Sequence, residues 1–156
     1  MIYLDFDDVL IVPRYSIKPL TRKSVNIEIP WLDKTAHPIV IANMPSTGTY
    51  EIAKHMTPMK VFTFIHKEYK VEEHKINLAM MEDRSYIGIT SGVRDKDVKR
   101  TIDIISDFQD IGIINVDIAN VYANVDGMIK AIQTYRNHFP HIKISAGNIC
   151  NKNLME

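Results

Sequence analysis

Residues 113–118 read Ile113-Ile114-Asn115-Val116-Asp117-Ile118, and shortly after them Asn124 opens a segment in which Val125, Met128, Ile129, Ile132, Tyr135 and Phe139 recur at helical spacing; Pro140 and then Ile142-Lys143-Ile144-Ser145-Ala146 follow. A short run of Ile and Val is the pattern of a strand covered on both faces, and the i, i+3, i+4 stripe is that of a helix with one apolar side. Asn124 can cap that helix through its side-chain oxygen, and Pro140 cannot continue it. Strand, helix and strand joined this tightly make a βαβ unit, whose strands lie parallel because the crossover carries the chain back to the same end of the sheet.

The same unit recurs upstream. Pro38-Ile39-Val40-Ile41-Ala42, Val61-Phe62-Thr63-Phe64-Ile65 and Tyr86-Ile87-Gly88-Ile89 are further buried-strand runs, and the strand centres Ile41, Phe62, Ile87, Val116 and Ile144 stand 21 to 29 residues apart, room for one helix and two short loops each time. Between them, Asp95 can cap a helix whose stripe is Val98, Thr101, Ile102, Ile105 and Phe108; a third helix runs from about Val71 to Met81 and a shorter one from about Thr49 to Met56. The first 35 residues hold Pro13, Pro19 and Pro30 between short apolar pieces and read as an extended arm with a small hairpin, so 1–35 is taken as the arm and 36–156 as the βα repeats. Two architectures fit: a five-stranded doubly wound sheet, complete at 156 residues, or part of a (β/α)8 barrel, which normally needs about 250. The glycine-rich G-x-G-x-x-G turn of a dinucleotide-binding sheet is absent after the first strand, where Ala42-Asn43-Met44-Pro45-Ser46-Thr47-Gly48 stands instead.

Composition narrows the function classes. Nineteen basic and nineteen acidic residues cancel without forming long blocks, so no electrostatic feature calls for a nucleic acid or an anionic membrane. No apolar run is long enough to span a bilayer and the N-terminus lacks a secretory signal pattern, which leads to the expectation of a cytoplasmic enzyme of small metabolites. A single cysteine, Cys150, excludes an internal disulfide and a cysteine-cluster zinc site, and no metal is expected.

Several segments, in order, resemble the IMP dehydrogenase/GMP reductase family, and within it the GMP reductases. They are Leu4-Asp5-Phe6-Asp7-Asp8-Val9-Leu10-Ile11 with Pro13; Thr21-Arg22-Lys23-Ser24-Val25; Ile41-Ala42-Asn43-Met44 with Gly48-Thr49-Tyr50-Glu51-Ile52-Ala53-Lys54; Phe62-Thr63-Phe64-Ile65-His66-Lys67-Glu68-Tyr69; Thr90-Ser91-Gly92; Asp117-Ile118-Ala119-Asn120 with Tyr122; and Phe139-Pro140 with Ala146-Gly147-Asn148. The resemblance implies an α/β fold, a partial (β/α)8 TIM barrel of about four βα units plus a fifth strand, with its site at the C-terminal strand ends. It also implies NADPH-dependent reductive deamination of GMP to IMP in purine salvage. Asp117-Ile118-Ala119-Asn120 and the short link after Lys67 favour GMP reductase over IMP dehydrogenase.

Site roles come from the same resemblance. Lys67, Thr90, Ser91 and Asp117 match catalytic positions; Thr21, Arg22, Lys67, Asp117, Ile118 and Ala119 match cofactor-binding ones; Asn43 and Met44 match substrate-binding ones. The residue types suit these tasks. A lysine at a strand end can meet a phosphate or amide, hydroxyls beside Gly92 can donate to a ribose or carboxamide, and a carboxylate ending an apolar strand needs partners and should face the open mouth. Arg22 suits the extra phosphate of NADPH. The family's cysteine nucleophile sits in a loop beyond this sequence, so Cys150 is not expected to take that role. Pro45-Ser46-Thr47 replaces the family's D-T-V, removing a rim carboxylate, while Val12 and Val121 replace a usual arginine and glycine. A half-ring leaves an open edge, which points to a complementing C-terminal half or a homo-oligomer. A non-catalytic nucleotide-binding remnant and a truncated product stay open beside a split enzyme.

Overall fold

The structure, a computed structural model, describes residues 4–15 and 21–150. A two-stranded antiparallel hairpin, β1 (Ile29–Trp31) and β2 (Lys34–Ala36), precedes five parallel strands: β3 (Val40–Ile41), β4 (Phe62–Ile65), β5 (Ile87–Ser91), β6 (Ile113–Asp117) and β7 (Lys143–Gly147). The five are hydrogen-bonded in sequence order, β3-β4-β5-β6-β7. Four helices carry the crossovers: α1 (Tyr50–Met56), α2 (Val71–Ala79), α3 (Asp95–Asp107) and α4 (Val125–His138). Sequential order with every strand parallel is the connectivity of a barrel being wound; a doubly wound sheet reverses direction part-way. The fold is therefore the partial (β/α)8 barrel.

Alternation divides each strand between two environments. Thr63, Ile65, Ile87, Ile89, Ile114 and Val116 lie on the helix-facing side and are buried with Leu78, Val98, Ile104, Ile105, Met128 and Ala131. The opposite, inner face carries Phe62, Phe64, Gly88, Thr90, Ile113, Asn115, Asp117, Lys143 and Ser145, as the strand register requires. At its N-terminal end this face is apolar apart from Lys143. The hairpin sets Trp31 edge-on to Phe62 at 4.6 Å, Phe62 meets Tyr86 at 5.1 Å, and the Tyr86 hydroxyl donates to Thr35 O at 2.9 Å, closing the bottom of the half-barrel. Gly88 is required there, since a Cβ would lie 2.2 Å from Phe64 Cδ1.

Most expected elements form, with informative shifts. Thr49 caps α1 through Oγ1 to Ile52 N, and Asn124 caps α4 through Oδ1 to Gly127 N. Asp95 does not cap α3: Arg94 occupies that position, and the Asp95 carboxylate instead accepts from Lys130 Nζ at 2.8 Å. On α4 the buried stripe is Met128, Ala131 and Tyr135, while Ile129 is 47% exposed, because the small Ala131 is the residue pressed against the sheet. The first and fifth strands are also less covered than a fully buried run implies; Val40 is exposed and β7 is half-buried throughout. Each borders a single neighbour, so its outer edge and inner face lack cover.

Candidate functional site

Parallel winding brings every strand's C-terminal end to one rim, and the inner face turns polar there. Asn115, two residues before Asp117 and on the same side of β6, is buried and donates from Nδ2 to the Thr90 hydroxyl at 3.3 Å. One step nearer the rim, Asp117 is half-buried, and its Oδ2 accepts from Asn43 Nδ2 at 2.8 Å although 74 residues separate them. Asn43, just past β3, and Asp117, ending β6, thus reach each other across the mouth. The Asp117 Oδ1 accepts nothing from the described residues, leaving it able to accept an amide N–H or a hydroxyl.

The other expected residues divide. Lys67 lies exposed in the loop after β4, where His66 stacks on Tyr69 with ring centroids 4.3 Å apart and accepts from Glu68 N. Ile118 and Ala119 follow Asp117 at the rim, with Ile118 N donating to Gly147 O and Asn148 N to Ile118 O, so the ends of β6 and β7 are zipped together. Met44 is exposed beside Asn43. Ser91 is not brought to the mouth: it is fully buried on the helix-facing side, its hydroxyl 2.6 Å from the Tyr135 hydroxyl. Thr21 and Arg22 are exposed; Thr21 is tied to Ser24 through backbone and hydroxyl bonds. Cys150 is exposed, and its backbone N–H donates to the Tyr122 hydroxyl.

Four residues at the site, Arg100, Asp97, Tyr135 and Asn115, were not anticipated from the sequence. Arg100, Asp97 and Tyr135 lie beneath Thr90-Ser91-Gly92 at the end of β5. Burial opposes ionisation of Asp97, yet the Arg94 guanidinium at 2.8 Å holds its carboxyl below the usual range. Asn115 could have been found, because a polar residue two positions before Asp117 in an otherwise apolar strand must share its face. Arg100 gave no such signal on a charged helix. A cleft of about 530 Å³ lies at the opposite end, among Asp33, Gln109, His138 and Lys143, away from this chemistry.

Residues 3–156 match the family model for the IMP dehydrogenase / GMP reductase domain. The chain belongs to the IMP dehydrogenase/GMP reductase family. Relatives named GMP reductase share its sequence along 98% of its length: that of Caenorhabditis elegans is 30% identical and that of Onchocerca volvulus 32% identical, the chain covering 44% of each. Among solved structures, inosine 5'-monophosphate dehydrogenase from Legionella pneumophila superposes with a TM-score of 0.79 over 96% of this chain and 45% of that one, at 20% identity. This family member therefore spans under half the length of the relatives it matches. Among the described residues no helix is long and apolar enough to cross a membrane, and no group of three or more His, Cys, Asp or Glu side chains could hold a metal ion.

Proposed function

We propose that this chain is the cofactor-side half of a GMP reductase, working in cytoplasmic purine salvage and reducing GMP to IMP with NADPH once a second half-barrel supplies the cysteine loop. The observation that carries the reading is the Asn43–Asp117 bond across the mouth, next to the Thr90–Asn115 pair. The donor set suits the amide end of a nicotinamide. Asp117 keeps an oxygen available for the carboxamide N–H, and the Ile118 and Ala119 backbone flanks it at the rim. When bound, NADPH supplies the hydride; the chain's residues orient and shield.

In this reading Asp117 fixes the carboxamide, and Asn43 both holds Asp117 and, with Met44, borders the purine nucleotide. Lys67, on an exposed four-carbon stem, reaches the ligand's anionic or amide groups. Thr90 acts from beneath through Asn115, whereas Ser91 contributes by anchoring the end of β5 to Tyr135. The arm of residues 1–35 brings Thr21 and Arg22 to the cofactor of a neighbouring subunit. The open outer edge of β7 and its half-buried residues favour a complementing half or self-association, since unpaired strand edges seek partners.

The test is reconstitution. The chain is mixed with a separately expressed C-terminal half of a GMP reductase, and GMP-dependent loss of NADPH absorbance is followed. Turnover that requires both chains is expected. A stable complex that oxidises no NADPH would refute the reading.

A further inference from the structure

The end of β5, Thr90-Ser91-Gly92, is met from the helix layer at three points. Tyr135 bonds the Ser91 hydroxyl, the Asp97 carboxylate sits so near Gly92 that a Cβ there would lie 2.5 Å from Oδ2, and Arg100 Nη2 donates to Thr90 O at 3.0 Å. Arg100 also does what the other two do not: its Nη1 donates to Lys67 O, in the loop after β4. One guanidinium therefore ties the loop after β4 to the C-terminal end of β5, 23 positions on in sequence, the carbonyls of Lys67 and Thr90 being its acceptors.

Its surroundings argue against an incidental surface arginine. The side chain is half-buried, and burial draws its pKa down while the Asp97 charge acts against that. Its Nε is buried without a partner, and among the described residues it forms no ion pair within 4.0 Å. Partly burying a cation with no ion pair in contact is unfavourable unless hydrogen bonds compensate, and here they are carbonyl bonds at the rim. The planar fork can span both acceptors at fixed separation, as a single ammonium cannot.

We infer that Arg100 is a positioning residue, clamping the loop after β4 to the end of β5 so that Lys67 and the Thr90–Asn115 pair keep fixed places at one rim. This rests on the cofactor-side reading of that rim. Without the clamp the loop after β4 moves independently of the β5 end, and the ligand must order it on binding.

The full chain and its Arg100→Met and Arg100→Lys variants are compared by amide hydrogen exchange and by NADPH titration. Arg100→Met should speed exchange at residues 66–69 and 91–93 together, by about 10-fold or more for two lost bonds to a charged donor, with β6 amides unchanged. NADPH affinity should fall by a similar factor, and Arg100→Lys, which keeps charge and most packing, should recover part of both. Unchanged exchange, faster exchange in one segment alone, or faster exchange across the whole chain in both variants would overturn the clamp. Should the unmodified chain fail to bind NADPH, the cofactor reading fails instead, while the exchange pattern still decides the role of Arg100.

Discussion

Replacing His74 with glutamine removes a titratable group from the interior of the α1–α2 corner, and its effect on stability should depend on pH in a defined window. His74 is fully buried between the rings of Tyr50 and Tyr69, and its Nδ1 lies 2.5 Å from the Tyr50 hydroxyl. Burial raises the Tyr50 phenol far above its usual range, so Tyr50 donates, Nδ1 accepts, and the ring proton sits on Nε2, which has no partner. Burial first, then the Arg100 and His66 charges, push the His74 pKa from 6.5 down to about 3. Above pH 6.5 the imidazole is neutral in both folded and unfolded chains, and pH has no effect through it. Between 6.5 and about 3 the unfolded chain takes up a proton that the folded one refuses, so stability falls by roughly 1.4 kcal/mol per pH unit. At pH 4.5 that loss is about 2–3 kcal/mol, a sizeable part of a typical domain's roughly 5–15 kcal/mol. Urea unfolding of both proteins from pH 7.5 to 4.5 measures it. Glutamine, a poorer fit, should cost about 1–2 kcal/mol at pH 7.5, and that deficit should shrink and reverse as the pH drops. The remaining histidines and carboxylates are common to both proteins and cancel. Asp83 and Asp97, held below the usual carboxyl range, stabilise the fold above pH 3.8 and lose that contribution only as the pH falls further. A deficit that stays constant with pH would refute the account of His74 as a buried neutral base.

Three further outcomes follow from individual contacts. Phe62→Ala should cost about 3–5 kcal/mol, read from the urea midpoint, because Phe62 is 1% exposed and joins the hairpin to the barrel through Trp31 and Tyr86. Ser91→Ala removes the Ser91 partner of the buried Tyr135 hydroxyl and should lose about 1–3 kcal/mol, with NADPH affinity falling less than in an Asp117 variant, since Ser91 faces away from the mouth. Asp117→Asn should do the reverse, weakening NADPH binding about tenfold or more in a fluorescence titration while shifting the unfolding midpoint little.

The strand runs, helix stripes and the Asn124 cap were legible because period-2 and period-3.6 patterns, Asn and Pro act locally, within a few residues. The motif order from Leu4 to Asn148 carried the family, and with it the choice of barrel over doubly wound sheet that periodicity left open. Tertiary structure decided what depends on distant partners. It brought Asn43 to Asp117, turned Ser91 from the mouth into the helix layer, moved Asp95 from a cap to an ion pair with Lys130, and set Arg100 between the loop after β4 and the end of β5. Each outcome depends on which strand lies beside which and on which face of a helix meets the sheet, and residue spacing along the chain does not encode that.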